Sequence, residues 1–459
     1  MQYYIIMSKK RISVVSLVLL WIACSFQAAA QMAQTPYSSM GIGSLNPQGF
    51  ASNQGKAGVG IAQSSPWFIN NLNPALLSNV NLTLIEVGGS YDGRTVHDEQ
   101  YSQFSGSGNL SYISIAFPIM AGKWTMNFGF NPYSNINYRI NQGTSPVMTG
   151  PLAPDGSAYI YRSQSLQGEG GLRTAYWSNG VRLNKNFSIG LKASYLFGFY
   201  TREQISSYRD ERAFDLDPSV AEEAFRFSYL TAYQDKISVS DLAVQLGGRY
   251  RGKIGEKKWL NIGLTYDVQA DLSGSREIAL ERRVSTGNPY APEVIRQPIL
   301  DDPGYTTDLP AKLGVGLAFE KEYKYSIALD FTQQDWSNHL QNSGSDAYSL
   351  GNAYKLALGG EFTPDMFSVR SYFSRVAYRA GLSFEQTPYL ILNDNGGSTN
   401  VTEMAVSAGA SFPVGYNFLS VAGAAGVRDG GDNAFRENYF QITLGVTFSE
   451  RWFIRRKYD

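Results

Sequence analysis

Trp259-Leu260-Asn261-Ile262-Gly263-Leu264-Thr265-Tyr266-Asp267-Val268-Gln269-Ala270-Asp271-Leu272 alternates from end to end. One parity (Leu260, Ile262, Leu264, Tyr266, Val268, Ala270, Leu272) is apolar, and the other (Asn261, Gly263, Thr265, Asp267, Gln269, Asp271) is small or polar. Successive side chains of an extended chain point to opposite faces, so this segment has one oily face and one wet face. A soluble β-sandwich also alternates, but its dry core is filled from the inner faces. Here large apolar residues oppose carboxylates, amides and glycine, which suits lipid outside and water within. In lipid every backbone group needs a partner, and strands meet that need only as a closed barrel.

The pattern recurs on both sides of this stretch. Phe187, Ile189, Leu191, Tyr195, Phe197 and Phe199 alternate with Ser188, Gly190, Lys192, Ser194 and Gly198, with Leu196 the one exception. Trp124, Met126, Phe128 and Phe130 face away from Thr125, Asn127, Gly129 and Asn131. Strands are expected near 82–93, 106–118, 122–138, 157–183, 186–204, 226–251, 258–282, 307–319, 324–335, 353–363, 374–389, 401–412, 416–428 and 437–448. The predicted fold is all-β, a transmembrane antiparallel β-barrel of about 14 strands over residues 81–448. Short turns such as Asn184-Lys185 and Pro413-Val414-Gly415 alternate with long loops near 94–105, 139–156, 205–225, 283–306, 336–352, 390–400 and 429–436. Short turns are expected in the periplasm with both termini, and long loops outside the cell.

Composition agrees. Aromatic residues make up 14% of the chain, which suits the girdles of an outer-membrane barrel, and 39 basic against 39 acidic residues give no support for nucleic acid as a partner. Lys9, Lys10 and Arg11, the apolar run from Ile12 to Phe26 and Ala28-Ala29-Ala30 read as a signal peptide over 1–30. Cys24, the only cysteine, lies within it, so the mature chain is expected to hold no disulfide. No later stretch reaches the roughly 20 apolar residues that a spanning helix needs.

Before the first strand, Gln54-Gly55-Lys56-Ala57-Gly58-Val59-Gly60-Ile61 leads to Asn73-Pro74-Ala75-Leu76-Leu77. Its glycines, prolines and apolar residues suit a compact plug over 31–80. The Gly-rich run followed by Asn-Pro-Ala-Leu resembles the N-terminal hatch of the FadL family, outer-membrane transporters for long-chain fatty acids and other hydrophobic molecules. That resemblance implies a hatch inside the lumen carrying Asn73, Pro74 and Ala75. It also implies an inward kink of the third strand that opens the wall sideways.

Pro132 sits where such a kink would fall, because proline inside a strand removes a ladder donor. Asn131, Pro132 and Tyr133 are therefore the expected lateral opening. In the fifth-to-sixth loop, Asp217 as N-cap and Pro218 at the first helical position predict a short helix. By the resemblance, its Val220, Ala221, Ala224 and Phe225 form one wall of an external capture groove. The final strand, Tyr439 to Phe448, suits recognition by barrel-assembly machinery, and residues 449–459 form a periplasmic tail.

Strand parity sends Lys192, Lys312, Lys355 and Arg379 into the lumen together with Asp267, Asp271, Asp330 and Glu403, where mutual ion pairing is expected. A fatty-acid carboxylate needs one cation left over beside an apolar pocket. The only histidines, His97 and His339, fall in predicted loops far apart in sequence and read as solvated. Without a catalytic motif the chain is not expected to be an enzyme or to hold a metal or cofactor. The expected role is passive uptake of a hydrophobic or amphipathic small molecule by a monomer among outer-membrane lipids. The alternatives are a general porin, or a FadL-like scaffold or partner of a protein secretion system.

Overall fold

The structure is a computed structural model that describes residues 34–63, 65–98, 101–149, 158–210, 229–284, 293–339, 349–392, 397–431 and 434–450. The expected signal peptide, the loop helix with Val220, Ala221, Ala224 and Phe225, and residues 451–459 lie outside the described residues.

Among the described residues, fourteen strands form the wall. They are β1 (Thr83–His97), β2 (Ser102–Met120), β3 (Trp124–Pro132 and Ser134–Thr149), β4 (Ala158–Arg182), β5 (Phe187–Asp210), β6 (Tyr229–Gly255) and β7 (Lys258–Asp267 and Ala270–Val284). Then follow β8 (Glu293–Asp302, Thr306–Leu309 and Lys312–Lys321), β9 (Tyr325–Asp335), β10 (Ser349–Leu350 and Asn352–Phe362) and β11 (Ala377–Leu392). The last are β12 (Ser398–Val414), β13 (Asn417–Asp429) and β14 (Arg436–Glu450). Each pairs antiparallel with its neighbours, and β14 returns to β1 in an unbroken register from Thr83 opposite Glu450 to His97 opposite Arg436. The ring is closed.

Alternation sets the two faces as the sequence implies. On β7, Ile262, Leu264 and Tyr266 are 43%, 51% and 44% exposed, whereas Asn261 and Thr265 are 0% and 5% exposed. The regular pattern stops at the break between Asp267 and Ala270. Leu272, expected outside, is fully buried, and Asp271, expected in the lumen, is exposed. The break resets which parity faces inward.

Several loops are shorter than expected because hairpins continue beyond the apolar band. Ser134–Thr149 and Glu293–Asp302 are strands where loops were expected at 139–156 and 283–306, and their polar sequences kept them from being recognised. β14 likewise runs to Glu450, taking the first two residues of the expected tail.

The largest irregularity lies between β2 and β3. Their ladder runs only from Ile113 opposite Phe130 to Met120 opposite Trp124. Past Tyr133 the second half of β3 stays paired with β4, but its other edge pairs Ser134 and Asn135 with Leu45 and Ser44 of the N-terminal segment. Glycine permits a close backbone approach in the next two strands. A Cβ on Gly171 (φ 143°) would fall on the Ser134 carbonyl, and one on Gly198 (φ 153°) on the Gly171 carbonyl.

Candidate functional site

Residues 34–82 pack against the inward-facing side chains of strands all round the ring. Ser44–Leu45, the helical turn Ala51–Gln54 and the 3-10 turn Pro74–Asn79 are the regular pieces of this segment. Asn73 N-caps the last of them, its Oδ1 accepting Ala75 N–H at 3.0 Å while its Nδ2 donates to the carbonyls of Ile61 and Gly248. Pro74 and Ala75 are buried behind it.

Wall residues satisfy the segment's other main-chain groups. Asp330 Oδ2 accepts the N–H groups of Gly60 and Ile61, and Glu86 Oε1 accepts that of Ile69 at 2.6 Å. Ser407 Oγ accepts from Ala57 N–H, and Thr125 Oγ1 donates to the Val80 carbonyl. Buried main-chain groups without water must be met this way. At Gly263 the approach is so close that a Cβ would fall on the Ile61 carbonyl.

Two cavities flank the segment. The first, about 280 Å³, lies on the long-loop side and is lined by Gln48, Gln54, Lys312, Asp330, Lys355 and Arg428 among others. The second, also about 280 Å³, lies at the short-turn mouth and shares no lining residue with the first. Above the segment a charged network continues along the inner wall. Arg428 pairs with Glu403 at 2.7 Å and with Glu437 at 3.6 Å, Arg94 pairs with Asp92 and Glu437, and Tyr439 donates to Glu403. The Thr35 hydroxyl donates to Glu437, which ties the start of the segment to this network.

The predicted lumen cations all face inward, but none pairs with the predicted carboxylates. Arg379 pairs with Glu361 at 2.7 Å and Lys355 with Glu385 at 2.9 Å. Lys192 Nζ donates to the Asn71 carbonyl at 3.3 Å and stands 4.7 Å from the Tyr176 ring centre. Asp330 and Glu403 are taken by the N-terminal segment and by Arg428. Parity gave the direction of the four cations but not that of Asp271, while partners were chosen by neighbours on other strands. Lys312 makes no hydrogen bond or ion pair with a described residue, faces Asp267 across the ladder and lines the first cavity.

At the expected wall opening, Asn131 Nδ2 donates to Gln48 Oε1 at 2.7 Å, and Tyr133 N–H donates to the Leu172 carbonyl at 2.8 Å. Beside this break lies an apolar cluster that sequence reasoning missed. Ile136, Leu172, Leu196, Tyr200, Ile237 and Leu272 project inward and pack on Tyr37, Met40 and Ile42 of the segment. The exception at Leu196 was its one visible sign. Of the two histidines, His97 ends β1 and its ring lies 3.2 Å from Asn438 Nδ2. His339, expected to be solvated, is 5% exposed and edge-on to Trp336.

A family profile described as BamG matches residues 7–459. No curated protein matches the sequence. Among solved structures the chain is similar to a Pseudomonas aeruginosa FadL homologue, with TM-score 0.52, 14% identity, and 89% of this chain and 99% of that chain covered. It is also similar to the Ralstonia pickettii toluene transporter TbuX, with TM-score 0.51, 13% identity, and 88% and 100% covered. A third similar structure is the P. putida toluene transporter TodX, with TM-score 0.50, 14% identity, and 89% and 100% covered. At such identities the likeness describes the barrel.

Proposed function

The chain belongs to the BamG family, and on that footing we propose that it is an outer-membrane channel for passive uptake of hydrophobic or amphipathic small molecules, with both chain termini in the periplasm. Residues 31–80 are its hatch. The observation that carries this reading is the early end of the β2–β3 ladder at Ile113 and Phe130, beside an inner apolar cluster and a lumen occupied by the segment. If the segment plugs the axis, the wall offers the way out, and Asn131, Pro132 and Tyr133 border it. A ligand that passes from lumen to hydrocarbon keeps its apolar surface from water, worth about 25 cal/mol per Å². Lys312 is the cation best suited to a fatty-acid carboxylate, and Val220, Ala221, Ala224 and Phe225 are the proposed outer capture wall.

The test is uptake of a radiolabelled long-chain fatty acid and of toluene by a host lacking its own transporters, with and without this chain at the surface. Uptake equal to that of cells without the chain would remove the transport reading.

A second reading, a scaffold beside the barrel-assembly or secretion machinery, is favoured by the charged inner network of Arg94, Glu437, Arg428 and Glu403, which offers an apolar ligand little. It predicts no uptake but a fixed-stoichiometry complex with a barrel-assembly protein. A general porin fits poorly with an N-terminal segment that bonds to Glu86, Asp330 and Ser407 of the inner wall.

A further inference from the structure

At the short-turn mouth the wall carries a row of guanidinium groups that uptake does not require. In register, Arg182 on β4 faces Ser188 on β5, and Ser188 faces Arg249 on β6. Adjacent strands lie about 5 Å apart, so the two arginine backbones are separated by about 10 Å, a span that two such side chains can bridge through one anion. Arg251 follows two residues on, on the same face.

Carboxylates are outnumbered here: Glu320, Glu322 and Glu361 line the adjoining cavity against Arg182, Arg251, Lys321, Lys324 and Arg375. Arg251 is met by Glu320 at 2.5 Å. Arg182 donates to the Ser78 carbonyl and to Asn79 Oδ1, and Arg249 to Asn261 Oδ1 at 3.0 Å. Neither Arg182 nor Arg249 forms an ion pair with a described residue, and Arg249 is 5% exposed with its Nε unbonded. A buried guanidinium without a counter-charge is costly, and a bound anion would relieve that cost.

The adjoining cavity supplies both the space and a second kind of wall. Arg182 and Arg251 line one side of it, and Trp67, Phe68 and Phe418 line another. The rings of Phe68 and Phe418 lie 5.1 Å apart, and those of Trp67 and Phe418 lie 6.1 Å apart. Cations facing aromatic rings suit a molecule with a charged head and an apolar stem.

We propose that this mouth binds the anionic head of an amphipathic molecule, a phosphate or carboxylate received by Arg182 with Arg249 and Arg251 beside it, and its first methylenes against Trp67, Phe68 and Phe418. The site is separate from the first cavity and stands whether the chain transports or scaffolds.

The full-length protein in a neutral maltoside detergent, titrated by calorimetry with dodecyl phosphate, dodecanoate, dodecanol and inorganic phosphate, tests this. Both amphipathic anions should show a saturable site, weakened roughly tenfold or more by Arg182→Gln and by Arg249→Gln, the scale of a lost charged hydrogen bond. Arg182→Lys should keep most of the affinity, and Arg296→Gln, exposed at the far end, should change nothing. If Arg249→Gln does not fold, Arg182→Gln alone decides. Unaltered binding in folded glutamine variants, or dodecanol binding as tightly as dodecyl phosphate, would overturn the proposal. Inorganic phosphate binding as tightly as dodecyl phosphate would also overturn it, leaving a free-phosphate site.

Discussion

The carboxylate of Asp330, on β9, accepts the main-chain N–H of Gly60 at 2.7 Å, and the same oxygen accepts that of Ile61 at 2.8 Å. One side chain thus holds a turn that has no ladder of its own.

Replacing Asp330 by Ala leaves two buried donors unmet, at about 1 to 3 kcal/mol each. Proteinase K should then nick the chain between residues 34 and 82 faster, with the barrel's strand circular dichroism unchanged. Equal rates in wild type and variant would mean that other contacts hold the turn.

Gly263→Val places side-chain carbon where the Ile61 carbonyl stands. The turn must move, so ion conductance in planar bilayers should rise, and deletion of residues 42 to 80 should raise it further and admit small hydrophilic solutes. Unchanged conductance in a correctly folded deletion would count against a plug.

Burial holds the Lys56 ammonium down from its ordinary 10.5 to about 8, against the pull of Glu361. When the segment leaves the lumen the group regains its ordinary value. Between those two values the released state binds more protons, so docking strengthens as pH rises through the window and is weakest below about 8. The full change is on the order of 3 kcal/mol. Nicking of residues 34–82, scaled to an unstructured peptide substrate, should slow from pH 8 to pH 10, and Lys56→Met should flatten that slope. A slope that persists in Lys56→Met would assign the effect to another group.

If a fatty-acid carboxylate enters the first cavity, Lys312→Met should weaken its binding by about 1.5 to 3 kcal/mol. Lys192→Met and Lys355→Met should do less to affinity, since the Asn71 carbonyl and Glu385 already engage those ammonium groups. Arg379→Met should cost stability instead, by leaving Glu361 without its partner. Equal affinity in all four variants would leave only neutral ligands.

Pro132→Val restores a main-chain donor one residue before the break in β3. The β2–β3 ladder should lengthen beyond Ile113 and Phe130, and cellular uptake of a labelled long-chain fatty acid should fall while binding to purified protein persists. Undiminished uptake through a wall shown to be closed would point to passage past the hatch.

The barrel was legible because lipid and water impose opposite demands on alternate residues; Ile262 and Asn261 show the difference directly. Extensions such as Glu293–Asp302 were not, since strands in water need no apolar face. The segment's composition announced a compact element, but not that Glu86 and Asp330 would satisfy its N–H groups. Inner ion pairs escaped for a similar reason: Arg379 finds Glu361 through strand register, which a single sequence does not display. Leu272 was misread because a two-residue interruption is invisible in an unbroken alternation. The Gly170-Gly171 pair, whose second glycine lies against Ser134 and Asn135, was a usable sign of that close backbone approach.

The seam between β1 and β14 joins Thr83 to Glu450, the two ends of the wall in the chain. No fragment that lacks β14 can complete this ring, so closure must wait for that strand. Residues 34–82 touch β12, β13 and β14 from within, and Gly409 and Gly445 sit against Gly55 and Ala51 with no room to spare. A segment fitted this closely to the wall is expected to lie inside before the last strand pairs, so in refolding residues 34–82 should gain protease protection no later than the β1–β14 seam closes. Such late, long-range pairing makes for slow assembly. On that order of events the segment would act as a mandrel around which the sheet is rolled.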